Sequence, residues 1–248
     1  MAYAWGKAGM AGLAILAVAA PCDAANAEDD DDENEDSSYS PISTVIFGSM
    51  EAGPAKTFAA FGMKRAIRGG LAGSGFRLLL KAGGSREETR RRRPHGTTYK
   101  TEAQSMLGYE WRIGSTFFAL YVGSDTETEQ RMGPFCSCVM TRYGARIQAD
   151  LWMTPAEGMM LQASGYASTL DGSRLWGRVA TGWWMPARFY LGPEIEAYRD
   201  HDYSKLRLGV HLTGLRLFGV EWRLSGGWQS TSDRPSEAYG TFGLHWLR

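Results

Sequence analysis

Val220-Glu221-Trp222-Arg223-Leu224-Ser225-Gly226-Gly227-Trp228-Gln229 is the stretch on which the fold turns. Val220, Trp222, Leu224 and Trp228 share one parity; Glu221, Arg223, Ser225 and Gln229 share the other. A helix of 3.6 residues per turn would scatter those charges around its cylinder, whereas a strand of period two gathers them on one face. Residues 205–212 repeat the pattern, with Leu206, Leu208, Val210 and Leu212 against Lys205, Arg207, Gly209 and His211. In 188–198, Phe189, Leu191, Ile195 and Ala197 oppose Tyr190, Glu194, Glu196 and Tyr198. The apolar parity suits contact with lipid. The other parity mixes Gly, aromatics and both charge signs, as a barrel lumen does.

Extending the same reading along the chain gives about twelve strands, most of the ~9–11 residues that a tilted strand needs to cross a bilayer. Their expected spans are 43–52, 56–66, 74–84, 98–112, 115–125, 140–153, 158–169, 174–185, 188–198, 203–213, 219–229 and 238–247. The links at Ile113-Gly114, Thr154–Glu157 and Pro186-Ala187 are tight, whereas Ser85–Thr97, Thr126–Val139 and Ser230–Glu237 are long. Tight and long links fall on opposite ends, the arrangement of an outer-membrane barrel with its N-terminus in the periplasm. The link Ile67–Gly73 is the least regular of the set. Trp222 and Trp228 lie about 15 Å apart along the membrane normal, at ~3.3 Å per residue and a tilt near ~40°, which sets them towards opposite interfaces. The fold expected is all-β: an antiparallel transmembrane barrel over 43–248.

The composition agrees. Thirty-one glycines among 248 residues, with 9 Trp, 11 Tyr and 10 Phe, exclude a helical bundle, a Rossmann-type enzyme and a disordered chain. The first 27 residues carry Lys7, an apolar run over Met10–Ala20 and the small residues Ala25-Asn26-Ala27. That is a secretory signal, with cleavage expected after Ala27 and an address in the outer membrane. Residues 28–42 then form an acidic leader whose run Glu28–Asp36 holds eight acids. Like charges in a block repel and stay extended in solvent. The formal net charge of zero conceals this division: without Lys7, Asp23 and that run, 26 cationic and 18 anionic side chains remain, a body of charge +8.

Chemistry of an active site is sparse. Four histidines occur, at 95, 201, 211 and 245. His211 projects to the polar face, but no esterase spacing surrounds it, and satisfying a lumen neighbour is its expected role. Glu194 and Glu196 share a face about 6.6 Å apart at ~3.3 Å per residue, a separation a glycosidase could use. Lys205 and Arg207 on the next strand, and Glu221 with Arg223 on the one after, turn them instead into a lumen ion-pair network. No cofactor or metal is expected: Cys136-Ser137-Cys138 falls short of a four-ligand zinc site. In an oxidising compartment Cys136 and Cys138 either close a tight disulfide or stay unpaired. Arg90-Arg91-Arg92-Arg93 reads equally as a solvated loop run or as a contact for lipopolysaccharide phosphates.

Five segments resemble, in order, the BcsS family of bacterial cellulose biosynthesis proteins. They are Leu107-Gly108-Tyr109-Glu110-Trp111, Leu151-Trp152-Met153-Thr154-Pro155, Tyr190-Leu191-Gly192-Pro193-Glu194, Tyr203 to His211, and Ser225-Gly226-Gly227-Trp228. The acidic leader and the Cys136-Ser137-Cys138 loop stand apart from it. The resemblance covers roughly residues 44–248 and implies an outer-membrane barrel tied to export or assembly of a β-glucan. On that footing the barrel is a non-enzymatic conduit or a partner of the cellulose-export proteins. The alternative is an outer-membrane enzyme acting on lipid or polysaccharide. Alternation sets Trp152, Trp184, Tyr190 and Tyr198 on the charged face, where flat rings among hydroxyl-binding groups would suit a passing glucan.

Overall fold

The computed structural model describes residues 42–53, 56–89, 96–132 and 137–248. The signal segment, the leader up to residue 41, Arg90–Arg93 and Cys136 lie outside the described residues. Twelve strands follow one another as β1 (Thr44–Ala52), β2 (Lys56–Ala66), β3 (Gly75–Thr89), β4 (Gly96–Ile113), β5 (Thr116–Met132) and β6 (Ser137–Ala156). The second half continues with β7 (Met159–Ser168), β8 (Arg174–Met185), β9 (Phe189–Arg199), β10 (Ser204–Leu217), β11 (Val220–Thr231) and β12 (Arg234–Leu247). Each pairs antiparallel with its sequence neighbours, and β1 pairs with β12 to close the barrel. The closing seam is held by Arg248, whose carbonyl accepts from Ser43 and Thr44 and whose N–H donates to the Thr44 carbonyl.

Alternation sorts the side chains as the lipid requires. Leu191, Ile195, Leu206, Leu208 and Val210 stand exposed on the outer wall, Leu208 at 56 %, while Glu194, Glu196, Arg207 and Arg223 are buried inside. An exposed apolar belt of this size is unstable in water and stable in hydrocarbon. Trp228 stands out from that belt, whereas Trp222 packs on Phe242 with ring centroids 5.2 Å apart and donates its indole N–H to the Leu217 carbonyl. Inward glycines make room for rings. A Cβ at Gly62 or Gly108 would collide with Phe47 or Tyr121, which lie flat against those positions.

The strands at the end away from the termini exceed the expected spans. β3 runs to Thr89, β5 to Met132, and β11 and β12 leave a link of only two residues, 232–233. The described parts of stretches 85–97, 126–139 and 230–237 are therefore mostly strand. The sequence was legible only as far as the apolar belt. Past it the outer face turns polar, yet period-two Thr and Glu in Thr126–Glu129 still keep the ladder, and Thr128 and Thr141 bond across it at 3.0 Å. β10 also passes its expected end at 213, because a bulge at Gly214 (φ 86°) restores outward parity at Leu215. The irregular link 67–74 folds over the terminal end: Leu71 packs with Val45, Ala66 and Leu247 and donates its N–H to Ile42. Phe218, 96 % exposed, tips a two-residue turn in which it and Gly219 both have positive φ.

A lipid environment at Leu208 is directly checkable. Leu208→Arg should lower folding stability by about 2–4 kcal/mol in a urea titration in lipid vesicles if the site lies at the bilayer midplane. A spin label at the same position should be relaxed by dissolved oxygen and shielded from water-soluble nickel reagents. Nickel access there would contradict the lipid-facing belt.

Candidate functional site

The interior holds apolar clusters towards the terminal end: Phe117, Trp152 and Met160 cluster with Tyr190 against them, beside a second cluster of Phe47, Leu79, Met106, Ala119 and Tyr121. Buried ion pairs lie beside these clusters at the terminal end as well as further along the axis. Lys64 meets Glu110 at 2.9 Å, Arg77 meets the same carboxylate at 3.4 Å, and Arg146 meets Asp125 at 3.2 Å. Charges of both signs in a solvent-poor interior must pair, since an unpaired one would carry a desolvation cost of several kcal/mol.

Several of these bonds bridge the lumen. Arg207 on β10 forks onto Glu51 of β1, across the intervening β11 and β12, and takes Glu196 at 3.5 Å and Gln229 at 2.9 Å. Lys205 adds a 2.9 Å bond to Glu196. Arg223 on β11 binds Glu194 at 2.6 Å and reaches Gln162 of β7, on the far wall, at 2.6 Å. Tyr239 donates its hydroxyl to Glu194 at 3.3 Å. Across the β9–β10 ladder Arg207 stands opposite Glu196, whereas Glu194 faces Gly209 and takes its cation from β11. Glu221 stands apart, at the terminal end, with Arg216 at 3.8 Å. His211 is 1 % exposed: its Nε2 lies 3.1 Å from the Thr181 carbonyl and its Nδ1 2.9 Å from the Thr213 hydroxyl. If Nε2 carries the proton, Nδ1 accepts from Thr213.

The four aromatic candidates divide between the two ends. Trp152 is buried in the apolar filling, and Trp184, 47 % exposed at the terminal mouth, packs edge-on to Tyr190 at 4.8 Å. Tyr198 is eight residues further along β9 than Tyr190, about 26 Å at ~3.3 Å per residue. It joins a different group. Tyr166, Trp176 and Tyr198 are register partners on β7, β8 and β9, and Tyr203 lies 5.9 Å from Tyr198. Sequence alternation did not single out Tyr166 and Trp176, whose level along the barrel axis depends on register. Glu51, Gln162 and Tyr239 likewise become partners only when the barrel closes.

This second group lines a cup of ≈ 360 Å³ at the end away from the termini, bounded also by Phe58, Lys205 and Arg207. Ion pairs surround it: Arg174 forks onto Glu127 at 2.7 and 2.9 Å, Lys81 meets Glu102 at 3.2 Å, and Arg234 meets Glu87 at 3.4 Å. Cys138 is exposed at the start of β6, towards the same end.

A closed twelve-strand barrel with an apolar outer belt and a charged interior defines an outer-membrane-type β-barrel protein. The model of the family "Cellulose biosynthesis protein BcsS" matches residues 45–248, and the chain belongs to that family. Among solved structures, the β domain of the Bordetella autotransporter BrkA is similar with TM-score 0.52 and 9 % identity, covering 83 % of this chain and 99 % of that one. The translocator domain of autotransporter NalP from Neisseria meningitidis gives TM-score 0.48 at 10 % identity, over 84 % of this chain and 90 % of that one. The KdgM porin gives 0.45 at 10 % identity, over 82 % and 98 %. No curated protein matches the chain in sequence.

Arg207 offers the sharpest test of the lumen network. Arg207→Ala leaves Glu51 and Glu196 buried with less compensation and should destabilise the barrel by about 3–5 kcal/mol, read as a lower urea midpoint. Adding Glu51→Gln should recover part of the loss. An unchanged midpoint in the single variant would contradict the pairing.

Proposed function

We propose that this barrel is a non-enzymatic outer-membrane component of cellulose biosynthesis that acts as a partner of the export machinery and not as the channel for the polymer. The observation that carries this reading is the bridging of the lumen. Arg207–Glu51 and Arg223–Gln162 join strands that are not neighbours, and the side chains of Arg77, Arg207 and Arg223 are closed off from solvent. A glucan cannot pass an interior crossed by these buried guanidinium bonds without dismantling them. Side-chain filling of this kind is the rule in barrels of eight strands and not in those of sixteen.

The candidate acid–base groups are occupied structurally, which supports the non-enzymatic reading. Glu194 is held by Arg223 and Tyr239, Glu196 by Lys205 and Arg207, and both ring nitrogens of His211 have partners. A hydrolase would need a carboxylate or imidazole free to meet substrate. With the signal segment removed after Ala27 and the N-terminus in the periplasm, the cup opens to the cell exterior. Membrane lipid then surrounds the belt, and Arg90–Arg93, Cys136 and Cys138 belong to the outer side, where that arginine run would meet lipopolysaccharide phosphates.

Two measurements test the proposal together. Purified protein in planar bilayers should show no steady porin-sized conductance. Deletion in a cellulose-producing host should lower extracellular cellulose several-fold, and wild-type protein should restore it. Stable open channels that admit cello-oligosaccharides would overturn the partner reading in favour of a conduit. Unchanged cellulose output would remove the link to biosynthesis.

A further inference from the structure

We propose that the outward cup is a binding site for a neutral β-linked glucan end, with Tyr198 and Tyr203 as its stacking surface and the buried Trp176 packed beside them in the wall. The proposal rests on the reading of the barrel as a cellulose-export partner and adds the ligand class and its location.

Geometry builds the surface. Trp176 and Tyr198 are cross-strand partners on β8 and β9, so their rings stand on one face at one level. Trp176 is braced from behind by Tyr166, stacked at 5.5 Å and 23°, and Tyr166 is in turn covered by the Arg146 guanidinium at 3.3 Å. Tyr198 is fixed by donating its hydroxyl to Asp200 Oδ2 at 2.9 Å. The other oxygen of Asp200 accepts the backbone N–H groups of Asp202 at 3.1 Å and Tyr203 at 2.8 Å. This Asx-type turn sets Tyr203 beside Tyr198. Asp200 is thus a positioning residue: one carboxylate holds two rings.

The polar lining selects the ligand chemistry. Most cations of the cup already have carboxylates, as Arg174 has Glu127, Lys205 has Glu196 and Arg207 has Glu51. An anionic sugar or a phosphate would have to break those pairs, at the cost of leaving buried carboxylates exposed to one another. A neutral polyol needs only donors and acceptors. Gln104 Oε1, Thr231 Oγ1 and Asp233 Oδ1 are buried in the cup wall with no hydrogen-bond partner among the described residues. Buried polar atoms gain when hydroxyls satisfy them, and flat rings offer the apolar counterpart to a sugar's C–H face. The volume of ≈ 360 Å³ lies at the small end of the ~300–1,000 Å³ range of ligand sites, fit for a chain end and not for a bundle.

Isothermal titration of the detergent-solubilised full barrel with cellotetraose tests this, with maltotetraose and inorganic phosphate as comparators. Cellotetraose should bind, maltotetraose at least several-fold more weakly, and phosphate not measurably. Tyr198→Ala combined with Tyr203→Ala should weaken cellotetraose binding at least tenfold. Should that pair not fold, Tyr203→Ala alone, placed in a turn outside the ladder, should weaken it several-fold. Asp200→Ala should also weaken binding while Asp200→Asn largely retains it, since the amide oxygen still accepts the turn N–H groups. Trp228→Ala on the outer wall should change nothing. No cellotetraose binding, equal binding of maltotetraose, binding of phosphate alone, or full affinity without both tyrosine rings would overturn the proposal. Absent glucan binding with a cellulose defect on deletion would sink this inference alone, whereas glucan binding with normal cellulose output would sink the proposed function alone.

Discussion

In hydrocarbon there is no water to take an unpaired backbone N–H or C=O, so a sheet that enters a membrane must have no edges. Every other feature of this chain follows from the seam between β1 and β12, where Thr44 and Arg248 exchange backbone hydrogen bonds and the ladder runs unbroken from Val45–Leu247 to Ala52–Gly240. Closure fixes one face towards lipid and the other towards a narrow interior. The alternation of Leu206, Leu208 and Val210 with Lys205, Arg207 and Gly209 is stable only in that setting.

The interior then has its own constraint. Twelve strands enclose too little space for a broad aqueous pore once side chains as large as Arg, Tyr and Trp point inward. Solvent is displaced, and each buried charge needs an opposite charge or a set of dipoles nearby. The outcome is a set of apolar residues around Trp152 and Met160 towards the terminal end, ion pairs across the interior, and a cup at the far end. Such a body is bridged across its interior and recessed at one mouth.

Family membership ties this chain to cellulose biosynthesis. In the role proposed for it, bridging guanidinium groups oppose transit, engaged carboxylates oppose hydrolysis, and the aromatic side of the cup is where a polyhydroxylated chain would rest.

Much of this was legible in the residues themselves. Period-two alternation in Val220–Gln229 and 205–212 reports a half-lipid, half-lumen strand because pleating leaves a side chain no other choice. It set Glu194, Glu196, Lys205 and Arg207 inside, and the apolar sets outside. Tyr166 and Trp176 were missed, because nothing in the residues told their height along the axis. Strand ends past the apolar belt were obscure, because Thr and Glu pair in a ladder above the membrane as well as they fill a loop. The bulge at Gly214 was invisible for a related reason: one extra residue shifts parity without altering composition. Tertiary structure alone decided that Arg207 meets Glu51, that Arg223 meets Gln162, and that Tyr198 parts from Tyr190 to join Trp176 and Tyr203. Those contacts join residues from separate strands, and their distances exist only after register and closure fix twelve strands around one axis.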